Sequence, residues 1–339
     1  MQMFGSDNFS TVHPRVLEEL ARVNVGHVVS YGDDPYTEEA ITTLHKHFGK
    51  ECDIKFTFNG TGANVVCLSA LARSWHSVLC ARTAHINCDE TAAPERMAGV
   101  KIVPIDTEDG KLTPELIEPY LAVLGFEHSA QPHIISISNV TELGTVYTVD
   151  ELKVLTGFAH QKGLIVHCDG ARLANAAASL DVSLKALTVD AGIDALSLGG
   201  TKNGLMGAEA AIFFCDARTP ASFMIRKQSG QLASKMRYVA TQFLALYKDD
   251  LWLTCAAHAN EQAARLSVVL QEAGCTLTQP TDANEVFCIM SPELIGTLED
   301  EFHFYRWDCA RNEVRLVTSW DTDPAFVDAF VARLKELAG

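Results

Sequence analysis

The chain has 339 residues, with 27 basic and 43 acidic side chains and a net charge of −16. That length accommodates one large α/β domain and a smaller one. The acidic balance speaks against nucleic-acid and anionic-membrane partners, whose phosphates it would repel. The ten cysteines form no C-x-x-C pair, so zinc-ribbon and thioredoxin-type chemistry has no support, and scattered thiols in apolar runs such as SVLCA and LIVHCD suit a reducing compartment. The first residues, MQMFGSDNFSTVHP, lack the basic and apolar regions of a signal peptide, and no run reaches membrane-spanning length. A cytoplasmic protein is the expectation.

In chain order, DIKFTF (53–58) reads as a strand, followed by a glycine-rich turn and a helix over 63–74. SVLCA (77–81), KIVPI (101–105), HIISIS (133–138), LIVHC (164–168), DALSL (194–198) and AAIFFC (210–215) are further apolar runs of strand length. Helical patterns lie between them at 113–124 and 148–163, the second with Thr148 or Asp150 as N-cap and Gly163 as its stop. Continuous apolar strands alternating with helices predict a mostly parallel sheet covered on both faces. Past about residue 245 the pattern changes. A long helix over 249–274, weaker strands at 286–290 and 314–319, and a closing helix over 323–339 predict a smaller α+β unit. The expected division is residues 1–245 for the N-terminal segment and large domain, and 246–339 for the small one.

Three places carry chemistry. Asn59-Gly60-Thr61-Gly62 joins a strand to a helix, where free backbone N–H groups and the Thr61 hydroxyl suit a phosphate; an ordinary βα turn would look the same. A dinucleotide site fits less well, because Val65 replaces the third glycine of G-x-G-x-x-G and no acidic residue closes the next strand. No Gly-Lys-Ser/Thr of a Walker loop follows either. Asp169 ends a buried strand, where open α/β sheets place their ligands. It either pairs structurally with Arg172 or holds a protonated pyridine nitrogen, keeping such a ring able to accept electrons. Lys202 follows a strand and the small residues Gly199-Gly200-Thr201. A lysine there either reaches solvent or, desolvated, is a free amine fit for imine formation.

The order and spacing of NGTGAN, TAHINCDE, HCDGAR, SLGGTKNG and VRLVTSWDT resemble the L-threonine aldolase family, over nearly the whole chain. TKNG, QLASKMR and TELGTVY are most similar to its bacterial low-specificity threonine and phenylserine aldolase branch. The resemblance implies the aspartate-aminotransferase-like fold type I of pyridoxal-phosphate enzymes. It also implies retro-aldol cleavage of β-hydroxy-α-amino acids to glycine and an aldehyde. On it, Lys202 carries pyridoxal 5'-phosphate as a Schiff base and Asp169 holds the ring nitrogen. Gly60, Thr61 and Gly62 take the phosphate, with Thr201 beside Lys202, and His85 stacks on the ring and assists proton transfer. Arg172, which also nears the cofactor oxygen, and Arg315 receive the substrate carboxylate, with Ser6 near it and Tyr31 also among the substrate-binding residues. Arg237 approaches the phosphate across a subunit boundary, and Tyr31 lies at that boundary, in a homotetramer whose active sites form between paired subunits. No metal is implied, since His85, Cys88 and Glu90 have no companion ligand cluster. The family's histidine for the substrate hydroxyl, which follows Asn-Thr, is expected at the position of Thr141, whose side chain cannot act as such a base, which leaves a water held by His85, Glu90 or the cofactor phosphate as alternatives. A β-eliminating lyase or a racemase would use the same lysine and aspartate on another bond. A non-catalytic binding protein and a nucleotide-dependent dehydrogenase are the further alternatives.

Overall fold

A computed structural model describes residues 2–214 and 221–338. Cys215, expected at the end of a strand, lies outside the described residues.

The large sheet has seven strands: β1 (Asp53–Thr57), β2 (His76–Ala81), β3 (Lys101–Ile105), β4 (Gln131–Ser138), β5 (Ile165–Gly170), β6 (Ala195–Leu198) and β7 (Glu209–Phe213). Their order is β1-β7-β6-β5-β4-β2-β3. The five strands from β6 to β3 run parallel, while β7 pairs antiparallel with both β6 and β1. The sheet is thus mostly parallel, as the apolar runs predict. The burial of β4, β6 and β7 on both faces accounts for their lack of alternation.

Helix ends follow local chemistry. Thr148 and Glu151 form a reciprocal capping box at the start of the helix Val149–Gln161. The single helix expected over 113–124 is instead a turn of α-helix, Pro114–Ile117, followed by a 3-10 segment, Glu118–Val123. Pro119 lies at that junction, where it removes a helical N–H and crowds the carbonyl four residues back.

A second, four-stranded sheet is antiparallel, ordered β10-β11-β9-β8 from β8 (Thr276–Leu277), β9 (Glu285–Ile289), β10 (Tyr305–Asp308) and β11 (Glu313–Val317). The helix Leu251–Glu272 links the two cores. Its Leu251, Trp252, Cys255 and Ala256 pack into the large one, and Ala263, Leu266 and Leu270 into the small one. Phe4, from the opposite end of the chain, is fully buried in the small core beside Phe326 and Phe330. Its backbone bonds Phe302, His303 and Val317.

Candidate active site

The parallel strands deliver their C-terminal ends to one edge. Register sets Ser138 beside Asp169, and Asp169 beside Ser197. On the antiparallel side, the start of β7 brings Glu209 opposite Thr57. A cavity of about 400 Å³ opens at this edge, lined by Asn8, Gly60, Thr61, Asn64, His85, Glu90, Glu142, Asp169, Arg172, Thr201, Lys202 and Glu209 among others. Its size suits a cofactor and a small substrate.

Gly60 starts the helix Gly60–Leu71, whose first turn meets the cavity. Gly62 stands one step back. Its N–H donates to the N-cap carboxamide of Asn59 at 2.7 Å, and a Cβ there would collide with Gln231. Gln231 is pinned in turn, accepting from the Phe58 N–H at 2.9 Å. The first-turn N–H groups that Asn59 leaves facing the cavity are therefore those of Gly60 and Thr61, with Gly62 needed for clearance.

Asp169 is 9% exposed and accepts from the Ala171 N–H at 3.0 Å and from Asn64 Nδ2 at 2.8 Å. Asn64 donates its other hydrogen to Glu90 at 2.7 Å, and the same Glu90 oxygen lies 2.8 Å from His85 Nδ1. An ionised carboxylate only accepts, so Nδ1 carries the proton. That bond raises the imidazole pKa against the opposing effect of burial. The relay Asp169–Asn64–Glu90–His85 fixes the acid at one wall and the imidazole at another.

Lys202 occupies the short turn Thr201–Asn203. Glu209 holds the turn from behind, one oxygen accepting from Gly200 N–H and the other from Thr201 N–H, each at 3.1 Å. Burial pushes the Glu209 carboxyl up to about 7. Close packing shapes the same loop. A Cβ on Gly199 would fall onto the Ala171 carbonyl, which belongs to the backbone just after Asp169. Gly199→Ala is therefore expected to cost about 1–3 kcal/mol and to weaken cofactor binding, read by denaturant unfolding and by absorbance titration.

Arg172 does not partner Asp169, as sequence had offered. It grips Asp7 through Nε at 2.7 Å and Nη2 at 3.0 Å, and its Nη1 lies 3.3 Å from Glu285. These carboxylates raise its pKa against the effect of burial. Although burial opposes it, the charges of Arg172 and Lys202 hold the Asp7 carboxyl below its ordinary range. Arg315 reaches the other oxygen of Glu285 at 3.7 Å and lies over the rings of Trp307 and Tyr305. One buried carboxylate thus spans both arginines.

Other expected residues lie away from the cavity lining. Ser6 caps the short turn at Asp7, accepting from the Asn8 N–H. Arg237 bonds the carbonyls of Val25 and Gly26. Tyr31 is 47% exposed, with Lys227 over its ring. Thr141 is buried, its hydroxyl paired with that of Thr145 at 2.7 Å within the turn that follows β4. The next residue, Glu142, is the one that lines the cavity. Its carboxylate Oε1 accepts from the His85 backbone N–H at 2.8 Å and from Ser138 Oγ at 2.6 Å. Asn64, Glu142, Glu209 and Asp7 escaped assignment from sequence, while Glu90, weighed there for a metal or a bound water, here steadies Asn64 and His85. Asn64 is audible only as the last letter of NGTGAN, and Glu142 only as the acid beside Thr141.

A model of the beta-eliminating lyase family matches residues 4–293. The chain is 40% identical over 338 residues to a low specificity L-threonine aldolase of Pseudomonas sp. (strain NCIMB 10558), covering 98% of this chain and 97% of that protein. The solved threonine aldolase of Leishmania major matches with a TM-score of 0.96 at 33% identity, covering 100% of both chains. A serine palmitoyltransferase solved with pyridoxal phosphate is 17% identical, with a TM-score of 0.71 over 99% of this chain and 86% of that one, and shares the fold alone. The fold and the family model define an enzyme of the beta-eliminating lyase family, on the fold type I architecture of pyridoxal-phosphate enzymes. Within that class the chain belongs to the L-threonine aldolase family.

Proposed function

We propose that this enzyme is a pyridoxal-phosphate-dependent, low-specificity L-threonine aldolase that cleaves β-hydroxy-α-amino acids to glycine and an aldehyde. The observation that carries the reading is the meeting, in one cavity, of the Lys202 amine, the Asp169 carboxylate and the free first turn of the helix Gly60–Leu71. The donor set fits the cofactor part by part. An amine is present for its aldehyde, a backbone N–H cluster for its phosphate, and an oriented carboxylate for its ring nitrogen. Asp169 is fixed in place by Asn64 and the Ala171 N–H, one on each carboxylate oxygen.

Bound there, pyridoxal phosphate supplies an electron sink for the pair released at Cα. Lys202 holds it through its amine, with Thr201 alongside. His85, steadied by Glu90, covers the ring. Arg172, at the cavity and clamped by Asp7 and Glu285, presents a guanidinium to the substrate carboxylate. Arg315 supports that clamp through Glu285 from the small sheet. Ser6 reaches the same end of the site by fixing the turn at Asp7. Arg237 and Tyr31 belong to the edge where a second subunit would complete the phosphate pocket, in a homotetramer built from such pairs. A reducing, cytoplasmic setting agrees with Cys67, Cys80 and Cys168, which are buried outside any disulfide.

The test is turnover of L-threonine, L-allo-threonine and phenylserine by protein loaded with pyridoxal phosphate. Glycine and the matching aldehyde are the expected products. Pyruvate and ammonia instead would assign a β-eliminating lyase.

A further inference from the structure

We propose that Glu142 is the catalytic residue that takes the proton from the substrate's β-hydroxyl during cleavage and returns it in the reverse direction. The inference rests on the aldolase reading and supplies the base that reading lacks, since Thr141 is sealed in its turn.

Four carboxylates line the cavity among the described residues: Glu90, Glu142, Asp169 and Glu209. Three are committed elsewhere. Asp169 is bonded on both oxygens, by the Ala171 N–H and by Asn64. Glu209 is likewise bonded on both oxygens, behind the Lys202 turn. Glu90 places one oxygen between Asn64 and His85, and its other is buried without a partner among the described residues, sealed off from substrate. Glu142 differs. The bonds from the His85 N–H and from Ser138 Oγ both fall on Oε1, so neither of these donors occupies Oε2. Its two donors come from different elements. Ser138 is the last residue of β4, and the His85 N–H opens the short helix His85–Cys88. The carboxylate is therefore held at one oxygen and available at the other, the arrangement a positioned general base requires.

Electrostatics agree with the geometry. Burial, reinforced by the nearby Asp169 charge, raises the Glu142 carboxyl above its ordinary range despite the Ser138 and His85 bonds. A more basic carboxylate is better matched to a hydroxyl proton. His85 is the other group within reach, but Glu90 occupies its Nδ1 and raises its pKa.

The β-hydroxyl O–H bond breaks toward Glu142, and its electron pair becomes the second C–O bond of the departing aldehyde. The Cα–Cβ pair is left at Cα, which takes up a proton to become glycine. Glu142 gives its acquired proton to water as the aldehyde leaves.

Glu142→Gln keeps the shape and removes the base. In the loaded enzyme, cleavage of L-threonine is expected to fall on the order of 10²-fold or more. Exchange of glycine's Cα hydrogen with solvent, which involves no β-hydroxyl, should continue at the parent rate. Affinity for pyridoxal phosphate, read by absorbance titration, should not move. Should Glu142→Gln fail to fold, Ser138→Ala serves instead. It leaves the carboxylate but loosens it, so cleavage should slow selectively over glycine exchange. Cleavage at the parent rate in the folded variant overturns the proposal. So does a joint fall of cleavage, exchange and cofactor affinity, which would make Glu142 structural. A parent protein that exchanged glycine's hydrogen yet cleaved none of the three β-hydroxy substrates would sink the aldolase reading, and this inference with it.

Discussion

Replacing Lys202 by alanine is expected to abolish both the visible absorbance of the loaded enzyme and all retro-aldol turnover. Among the described residues that line the cavity, Lys202 is the one primary amine, so no neighbour can take over the attachment of an aldehyde. Its place is built in advance. Gly200 and Gly204 bound the turn, Gly204 with φ of +100°, and Glu209 ties the preceding backbone to β7. The alanine variant should therefore fold normally, with unfolding by denaturant close to the parent. Turnover surviving in a folded Lys202→Ala protein would refute the assignment.

The second large effect is expected at Asp169. Asparagine has the same shape but offers only one oxygen, whereas the Ala171 N–H and Asn64 Nδ2 both need an acceptor here. One buried donor is left facing another, at a cost of about 1–3 kcal/mol. In the proposed function, the ring nitrogen of the bound cofactor would also lose its anionic partner. Removing one aimed electrostatic group at a reacting centre lowers turnover by roughly 10²–10³-fold, and Asp169→Asn is expected to fall in that range. Cofactor affinity should weaken in parallel, measured by absorbance titration. An Asp169→Asn enzyme with parental turnover would mean that the ring nitrogen needs no anionic partner here.

Both residues are legible in the sequence for the same reason. Asp169 closes a short apolar run ahead of a small-residue turn and Lys202 follows such a run and turn, so strand, turn and chemistry lie within a dozen positions. The phosphate turn is legible on the same grounds. Its internal division of labour is not, because only tertiary packing puts Gln231 against Gly62. The relay from Asp169 to His85 depends on Asn64 and Glu90, 105 and 26 positions apart from their respective partners Asp169 and Asn64. Nothing local announces that these amides and acids will meet. Glu209 is hidden by direction, because β7 runs against β6 and presents its first residue, not its last, at the catalytic edge. Thr141 and Glu142 differ by one position in a tight turn, and the hydroxyl pair Thr141–Thr145 decides which of them turns toward the cavity.

The clamp around Arg172 also orders events during synthesis. Its members lie at positions 7, 172, 285 and 315, and Phe4 is seated between the strand ending at Val317 and the turn after Phe302. A ribosome-bound chain that has completed the seven-stranded sheet already owns Lys202, Asp169 and the phosphate turn. It still holds its first residues loose, with Asp7 lacking Glu285 as a co-clamp and Phe4 lacking a core. The Arg172 end of the site is assembled only when the last strand emerges and the oldest part of the chain is recaptured by the newest.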